Sequence, residues 1–541
     1  MLLGMNTDQV ELSPQRQQRW LLPLTDNLAL LAGLMMTTAL PPFRGTGWLA
    51  PLALSLLFRV LMTAPQPVRT AWLFGLAHQI SLLYWLFFLQ PAASIPSRWL
   101  VPVQAVLAIL YVTVFYLIFG LFVRIVRRRL GTAAALTLAP AAWTGMEALR
   151  AAGELGFPWC LVGAAWLETP LRPLLAASGE IGLSAATALT AASLVAIITR
   201  NNQRDAVLAA GAWRPALLVI TVLIWTGLAV GAGWREPSSK PATGKRPLTS
   251  LRIAAVQANV SLDDKWRRAK IDSTIVPYTQ LTAAAARAGA ELVIWAETAV
   301  PAYVLLREPD LLSWVRRTAR ENDIYLFTGF PDAKLTSEGR LTRFNSSGLF
   351  GPKGDLQDQY EKHHLLPVGE RMPFSDFLPF VSNIDMGQAE WLPGEPSAPM
   401  TITTARGELR IAGLICFESI FASLARQAVS RGAQVLVNIT NDGWFGQTAG
   451  PRQHAALARL RASECGVPLV RCANNGISFL VDAKGKMMGQ ADLNQRTYVI
   501  ADVTPGRCDT LFVRTGARPV AILLLLWSLV ALLMTRREGA V

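Results

Sequence analysis

Apolar positions along this chain fall into two regimes. Nearly unbroken apolar runs cover about 24 to 40, 48 to 64, 71 to 89, 101 to 123, 131 to 149, 174 to 199, 215 to 233 and, after a long gap, 517 to 535. Each is close to the roughly 20 residues that cross a hydrocarbon layer, so eight membrane-spanning helices are expected. The first two runs are short and carry Pro and Arg59, which leaves their ends loosely fixed.

Between the seventh and eighth runs the pattern changes to short apolar stretches alternating with amphipathic ones. "SLRIAAVQANV" reads as a strand, "KWRRAKIDSTIVPYTQLTAAAARAG" as mostly helix, "AELVIWAET" as a buried strand, "LLSWVRRTAREND" as helix and "IYLFTGF" as strand. After a hairpin-like stretch containing "RFNSSGLFGPKG" come "LRIAGLICFE" as strand, "SIFASLARQAVSRG" as helix, "AQVLVNITND" as strand and "QHAALARLRASECG" as helix. "VPLVRCANNGISFLVDAKGKMMG" reads as strands joined by Gly-bearing turns. Such alternation with short connections predicts a layered α/β domain whose chemistry gathers at strand ends. The polar stretch Trp234 to Ser250, rich in Pro, Ser and Lys, is linker chemistry. The expected organisation is thus a seven-helix membrane domain over 1–234, a linker over 235–250, an α/β domain over 251–512, and a C-terminal span with a short tail over 513–541.

Composition agrees: 541 residues of which 52% are hydrophobic and 16% charged are too apolar for a soluble enzyme and too long for one domain. The net charge of +14 does not mark a nucleic-acid binder, because the cations are not gathered in a stripe with exposed aromatics. They stand beside the apolar runs instead. Arg16, Arg19, Arg69, the run Arg124 to Arg129, Arg200, Arg204, Arg536 and Arg537 all fall on one side if every run spans, and that side is expected to be the cytoplasm. The polar start "MLLGMNTDQVELSPQRQQRW" gives no cleavable signal peptide, so the N-terminus is expected inside. Seven crossings then place the α/β domain outside, away from ATP and coenzyme A.

Three strand-end or loop positions offer chemistry. Cys416 closes "AGLIC" just before a helical stretch, where the positive end of the helix dipole favours a thiolate; a free cysteine in an apolar run is also ordinary packing. Glu297 ends the buried run "ELVIWAE", where desolvation raises a carboxyl pKa toward that of a useful base. Lys362, in "YEKHHLLPVGE", is a cation able to hold an oxyanion. Strand-end Glu and loop Lys residues are also commonly solvated, and chain order does not bring them together.

The ordered set "WAET", "YEKHHLLPVGE", "ICFES", "NITNDGWFG" and "RCANNGIS" resembles the nitrilase superfamily. Joined to seven N-terminal spans, "GFPW" at Gly156 to Trp159 and one C-terminal span, the whole chain resembles the membrane-embedded bacterial apolipoprotein N-acyltransferases. The resemblance implies an αββα sandwich inserted between transmembrane helices 7 and 8 of an eight-helix bundle, with a Glu-Lys-Cys triad: Glu297 as general base, Lys362 as oxyanion-stabilising lysine and Cys416 as nucleophile. Glu370 matches a supporting acid, and Trp266, Phe417 and Glu418 match positions used around the pocket. Two departures stand out: Ala296 where many relatives have Pro, and Phe417 where many have Tyr. The second removes a hydroxyl beside the nucleophile.

The activity implied is transfer of an acyl chain from a phospholipid, typically phosphatidylethanolamine, to the N-terminal α-amino group of the diacylglyceryl-cysteine of an apolipoprotein, through a thioester. No cofactor is implied, and the enzyme is expected to act as a monomer in the inner membrane with its catalytic domain facing the periplasm. The alternative is a membrane-tethered amidase that hydrolyses a small C–N substrate with the same triad. The apolar stretches Met372 to Met386 and Asp442 to Gly446 are lid candidates or ordinary loops. Cys465, Cys472 and Cys508 lie where disulfides are permitted, with buried free thiols the favoured reading. His363 and His364 match no zinc spacing and no metal is expected. His78, inside the third run, is assigned to bundle packing, and Glu147 and Arg150 to the membrane interface.

Overall fold

The computed structural model describes residues 22–90, 99–199, 213–237, 248–335, 339–375, 391–506 and 508–538. Residues 376–386 of the lid candidate, 238–247 of the linker, Arg16, Arg19, Arg200, Arg204 and the side chains of Cys508, Arg536 and Arg537 lie outside the described residues.

The N-terminal region is helical: α1 (Leu24–Ala39), α2 (Leu49–Thr63), α3 (Pro67–Leu82), α4 (Leu100–Arg150), α5 (Leu175–Thr199) and α6 (Trp213–Gly233). Among the described residues, α4, the stretch Arg172–Thr199 containing α5, and α6 are long and apolar enough to cross a membrane; α2 and Arg518–Met534 are shorter apolar helices. At 51 residues α4 would reach about 75 Å if straight, more than twice a bilayer core. It is not straight: Gly131 takes φ 89°, a conformation glycine adopts without steric cost, and the chain doubles back there. Phe119 and Trp143, which a straight helix would hold about 36 Å apart, have ring centroids 5.4 Å apart. The two expected spans on either side are therefore an antiparallel pair joined at one glycine. His78 packs as expected, its Nδ1 2.9 Å from Thr37 Oγ1 and its ring edge-on to Tyr116. Glu147 and Arg150 differ from expectation: both are 2% exposed, and Glu147 Oε1 accepts from the Val162 N–H at 2.9 Å. A backbone donor thus answers one of the two carboxylate oxygens inside the helical region.

The α/β domain stacks two six-stranded sheets. One contains β1 (Leu251–Gln257), β2 (Leu292–Trp295), β3 (Tyr325–Leu335), β4 (Leu341–Phe350), β5 (Leu356–Glu361) and a late strand, β12 (Thr497–Val503), in the order β12-β1-β2-β3-β4-β5. The other contains β6 (Met400–Thr404), β7 (Gly407–Ile415), β8 (Val435–Thr440), β9 (Leu469–Ala473), β10 (Ser478–Val481) and β11 (Met487–Ala491), in the order β11-β10-β9-β8-β7-β6. β1, β2 and β3 run parallel, as do β7, β8 and β9; the remaining pairings are antiparallel. Successive residues of a strand point to opposite faces. Ile253 and Ala255 accordingly join Ile294, Phe327, Ile411 and Val437 in a core between the sheets. Ala254 and Val256 join an outer core under α7 (Ile271–Arg287) and α8 (Pro309–Glu321). A matching outer core lies under α9 (Ala422–Ser430) and α10 (Gly450–Cys465). Burial on both faces is why these strands read as unbroken apolar runs. Cys465 and Cys472 are both buried and free.

The two regions share a core. Phe417, Ile420, Phe421, Leu457 and Leu460 of the α/β domain belong to the same apolar cluster as the interior of the helical region. Chain entering and leaving the domain pairs antiparallel, Arg235–Pro237 against Cys508–Thr510. The last helix, α11 (Arg518–Glu538), returns to the helical region, where the Trp527 indole donates to Thr137 O at 3.0 Å.

Candidate active site

Four strand ends converge at one edge of the sandwich. Past β2 the chain turns at Ala296 and Glu297, with Thr298 held at φ 45°, and Gly329 of β3 lies so close that an added Cβ would sit 2.9 Å from Glu297 Cα. Glu297 is 7% exposed. Its Oε1 accepts from Asn345 Nδ2 at 2.8 Å and its Oε2 from the Asn441 N–H, just past β8, at 3.0 Å. Lys362 follows β5, is 1% exposed, and its ammonium bonds Glu370 at 2.7 and 2.9 Å. Asn345 also donates to Glu370 Oε1 at 3.1 Å, so one chain of contacts runs from Glu297 through Asn345 and Glu370 to Lys362.

Cys416 sits at the end of β7 with φ 52°, a left-handed conformation uncommon for a residue with a side chain and characteristic of functional turns. A five-residue 3₁₀ turn, Cys416–Ile420, follows at once, and α9 begins only at Ala422. The expectation that a helix dipole favours the thiolate is thereby overturned. Burial pushes the thiol pKa up, Glu297 pushes it further, and Lys362 offsets only part of this. The thiol thus rests protonated and needs a base. Burial also raises the Glu297 carboxyl, against the pull of Lys362. For Lys362, burial opposes the charge but Glu370, Cys416 and Glu297 together lift its pKa, so it stays an ammonium. Glu297, Lys362 and Cys416 therefore share one electrostatic environment.

Glu418 is fully buried behind the turn. Its Oε1 accepts from Tyr360 OH (2.8 Å), His363 N (2.8 Å) and His364 N (3.0 Å), and its Oε2 from Ile415 N (2.7 Å). One carboxylate thus brackets the backbone beside Lys362 to the backbone beside Cys416. Phe417 stacks at 6.1 Å on Phe157 of the "GFPW" loop of the helical region. Trp266 is 49% exposed on the turn after β1; it is its neighbour Lys265 that reaches inward, donating to Glu297 O at 2.9 Å.

Sequence reasoning passed over Asn345, Lys265, Tyr360 and His454. Asn345 carried a signal, an amide in mid-strand where such residues are depleted. The others carried none, because their partners are distant in the chain. Among the described residues no group of His, Cys, Asp and Glu is arranged to hold a metal ion.

Residues 32–193 match the family described as the apolipoprotein N-acyltransferase N-terminal domain, and residues 252–511 match carbon-nitrogen hydrolase. Over 498 residues the chain is 32% identical to an apolipoprotein N-acyltransferase of Geobacter metallireducens, covering 90% of this chain and 91% of that one. The chain belongs to the apolipoprotein N-acyltransferase family. An Azotobacter vinelandii relative of the same name is 33% identical over 527 residues, covering 95% of this chain and 96% of its own. Among solved structures, a mutant amidase from Nesterenkonia sp. AN1 overlaps 51% of this chain and 97% of its own at 20% identity and TM-score 0.37, too distant to bear on activity.

Proposed function

We propose that this family member transfers an acyl chain from a phospholipid, phosphatidylethanolamine in the first instance, to the N-terminal α-amino group of a diacylglyceryl-cysteine on an apolipoprotein. The observation that supports the reading is the position of the turn after β7: Cys416 shares its electrostatic surroundings with buried Glu297 and Lys362, while the next residue, Phe417, packs on the apolar helical region. A water-soluble amide needs no such contact.

In the first half-reaction Glu297 takes the Cys416 proton and the sulfur attacks the ester carbonyl. The tetrahedral oxyanion is held by the Lys362 ammonium and a backbone N–H near Phe417. The C–O bond breaks, Glu297 returns its proton to the leaving alkoxide, and lysophospholipid departs from a Cys416 thioester. In the second, the α-amine attacks the thioester carbonyl and Glu297 receives its proton. The C–S bond then breaks, and the proton restores the thiol. Amides are more stable than thioesters, so no nucleotide is needed. Retaining the acyl chain in an apolar place, at about 0.8 kcal/mol per buried CH₂, disfavours loss to water.

Sidedness has its own support. Arg69, paired with Asp26, and Arg127, donating to Leu61 O and Ala64 O, lie at the ends of α1, α2 and α3 opposite the end where Leu82 O accepts from Gln453 of α10. With positive residues inside, the catalytic domain faces the periplasm, the membrane is the inner one, and the eight apolar runs are eight spans with the α/β domain between the seventh and eighth. The domain limits are those read from the sequence, and the enzyme works as a monomer.

The test is incubation of full-length protein with phosphatidylethanolamine micelles and no acceptor, followed by intact mass. A gain of one acyl chain, lost in Cys416→Ala and Cys416→Ser, is expected. An adduct persisting in Cys416→Ala refutes the assignment; cleavage of small amides without any adduct favours the amidase.

A further inference from the structure

Lys265 ends a single helical turn, Leu262–Lys265, on a polar segment whose following residues are exposed. A lysine in such a turn ordinarily keeps its ammonium in water. Lys265 is instead 2% exposed, and its Nζ donates to the main-chain oxygen of Glu297 at 2.9 Å. Burying an ammonium against a carbonyl alone is costly, so the charge must be answered nearby. Glu297 at the strand end and Cys416 at the nucleophile turn are the ionisable groups that face it; Asp263 and Asp264 share its own turn. The charges around the thiol explain the need. Lys362 pulls the Glu297 carboxyl toward its charged form, but Glu370, paired with Lys362, pushes it back, and Lys265 is the second cation that favours the carboxylate.

We propose that Lys265 is a positioning residue for acylation: its ammonium pins the backbone of Glu297 and adds, beside Lys362, a second positive charge that favours the ionised carboxylate, ready to take the thiol proton. This rests on Glu297 being the base. Burial lowers the Lys265 pKa to about 8, with Glu297 and Cys416 opposing, so the ammonium is charged at neutral pH.

The sign of the effect follows. Loss of the cation raises the Glu297 pKa, so the base is protonated over a wider acid range and the acid limb of the rate profile moves to higher pH. The experiment measures acyl-enzyme formation by quenched intact mass across pH, in full-length protein with phosphatidylethanolamine micelles. Lys265→Gln keeps a donor toward Glu297 O but not the charge, so folding is preserved. It is expected to be on the order of tenfold slower on the acid limb and to converge on the wild-type rate at higher pH, a displacement of about one unit, the low end for loss of a nearby opposite charge. Lys265→Arg keeps the charge and should keep the limb in place. An unmoved limb in Lys265→Gln, or an equal loss at every pH, overturns the inference. Glu297→Gln separates the two readings. If it acylates normally the base assignment itself falls; if it is inactive while Lys265→Gln leaves the limb unmoved, only the role of Lys265 falls.

Discussion

Replacing Glu418 tests the bracket that holds the two halves of the site. All four of its partners are donors, and three are main-chain N–H groups of His363, His364 and Ile415. Glutamine fits the same volume, and its single carbonyl oxygen is best used in place of Oε1, which serves three partners. The amide NH₂ then faces the Ile415 N–H, whose present bond to Oε2 is 2.7 Å, donor against donor. A lost charge-assisted bond with its orphaned buried donor costs about 2–3 kcal/mol. Alanine orphans all four donors, at about 1–3 kcal/mol each, which approaches the whole stability of a domain. Glu418→Gln should therefore give folded protein with a lowered unfolding temperature and slow acylation, because Ile415 precedes Cys416, the proposed nucleophile. Glu418→Ala should not accumulate in folded form. Thermal unfolding of detergent-solubilised protein and intact-mass acylation rates read both effects. Wild-type values for Glu418→Gln in both assays would refute the idea that this carboxylate sets the position of Cys416.

Lys362→Ala should slow acyl transfer by about 10² to 10³ if the ammonium stabilises the oxyanion; near-normal initial rates would reduce Lys362 to a structural partner of Glu370. Burial alone would raise the Asp442 pKa, but Arg471 and then His454 hold it well below the ordinary carboxylate range. A folded value below the unfolded one, near 3.9, means that its stabilisation is complete above about pH 4 and is lost as pH falls through the folded value. Asp442→Asn should cost about 3–5 kcal/mol at neutral pH, through the charge left on buried Arg471, and should flatten the acid-side loss of stability; parallel acid-side curves would contradict this. Gln453→Leu should lower the unfolding temperature of the full chain, since two buried indole N–H groups, of Trp85 and Trp159, lose their acceptor at about 1–3 kcal/mol each.

The parts of this molecule that were legible in the sequence are those with a period or a run. Strands such as Leu292–Trp295 and Val435–Thr440 showed as apolar stretches because a sandwich buries both their faces. The break at Gly131 lies at the start of the expected 131–149 run, although nothing local said that the two helices would join through a single residue. Glu297, Lys362 and Cys416 were recognisable from the ordered motifs, not from local chemistry. The dipole argument for Cys416 failed because a short 3₁₀ turn intervenes and burial dominates. Lys265 and Tyr360 were invisible, and Asn345 showed only as an amide in mid-strand, because each acts on a group tens of residues away in the chain, at Glu297 or Glu418. A linear pattern does not encode such pairings.

Helix α10 shows why the two regions work as one. Within a few turns Gly450–Cys465 offers Gln453 to Trp85, Trp159 and Leu82 of the helical region, and Arg461 to Glu180, while Glu464 accepts from the Glu180 N–H. Between them stands His454. Its Nε2 is 3.2 Å from the Cys416 carbonyl, its Nδ1 is 3.0 Å from Asp442, and its ring stacks on Trp159 at 5.7 Å. Residues one to four apart on a helix are fixed relative to each other, so the "GFPW" loop and the carbonyl of Cys416 are linked through one helix. The strained φ of Cys416 is therefore held in place partly from the membrane side. On this account the helical region is a structural component of the active site, and not only an anchor for it.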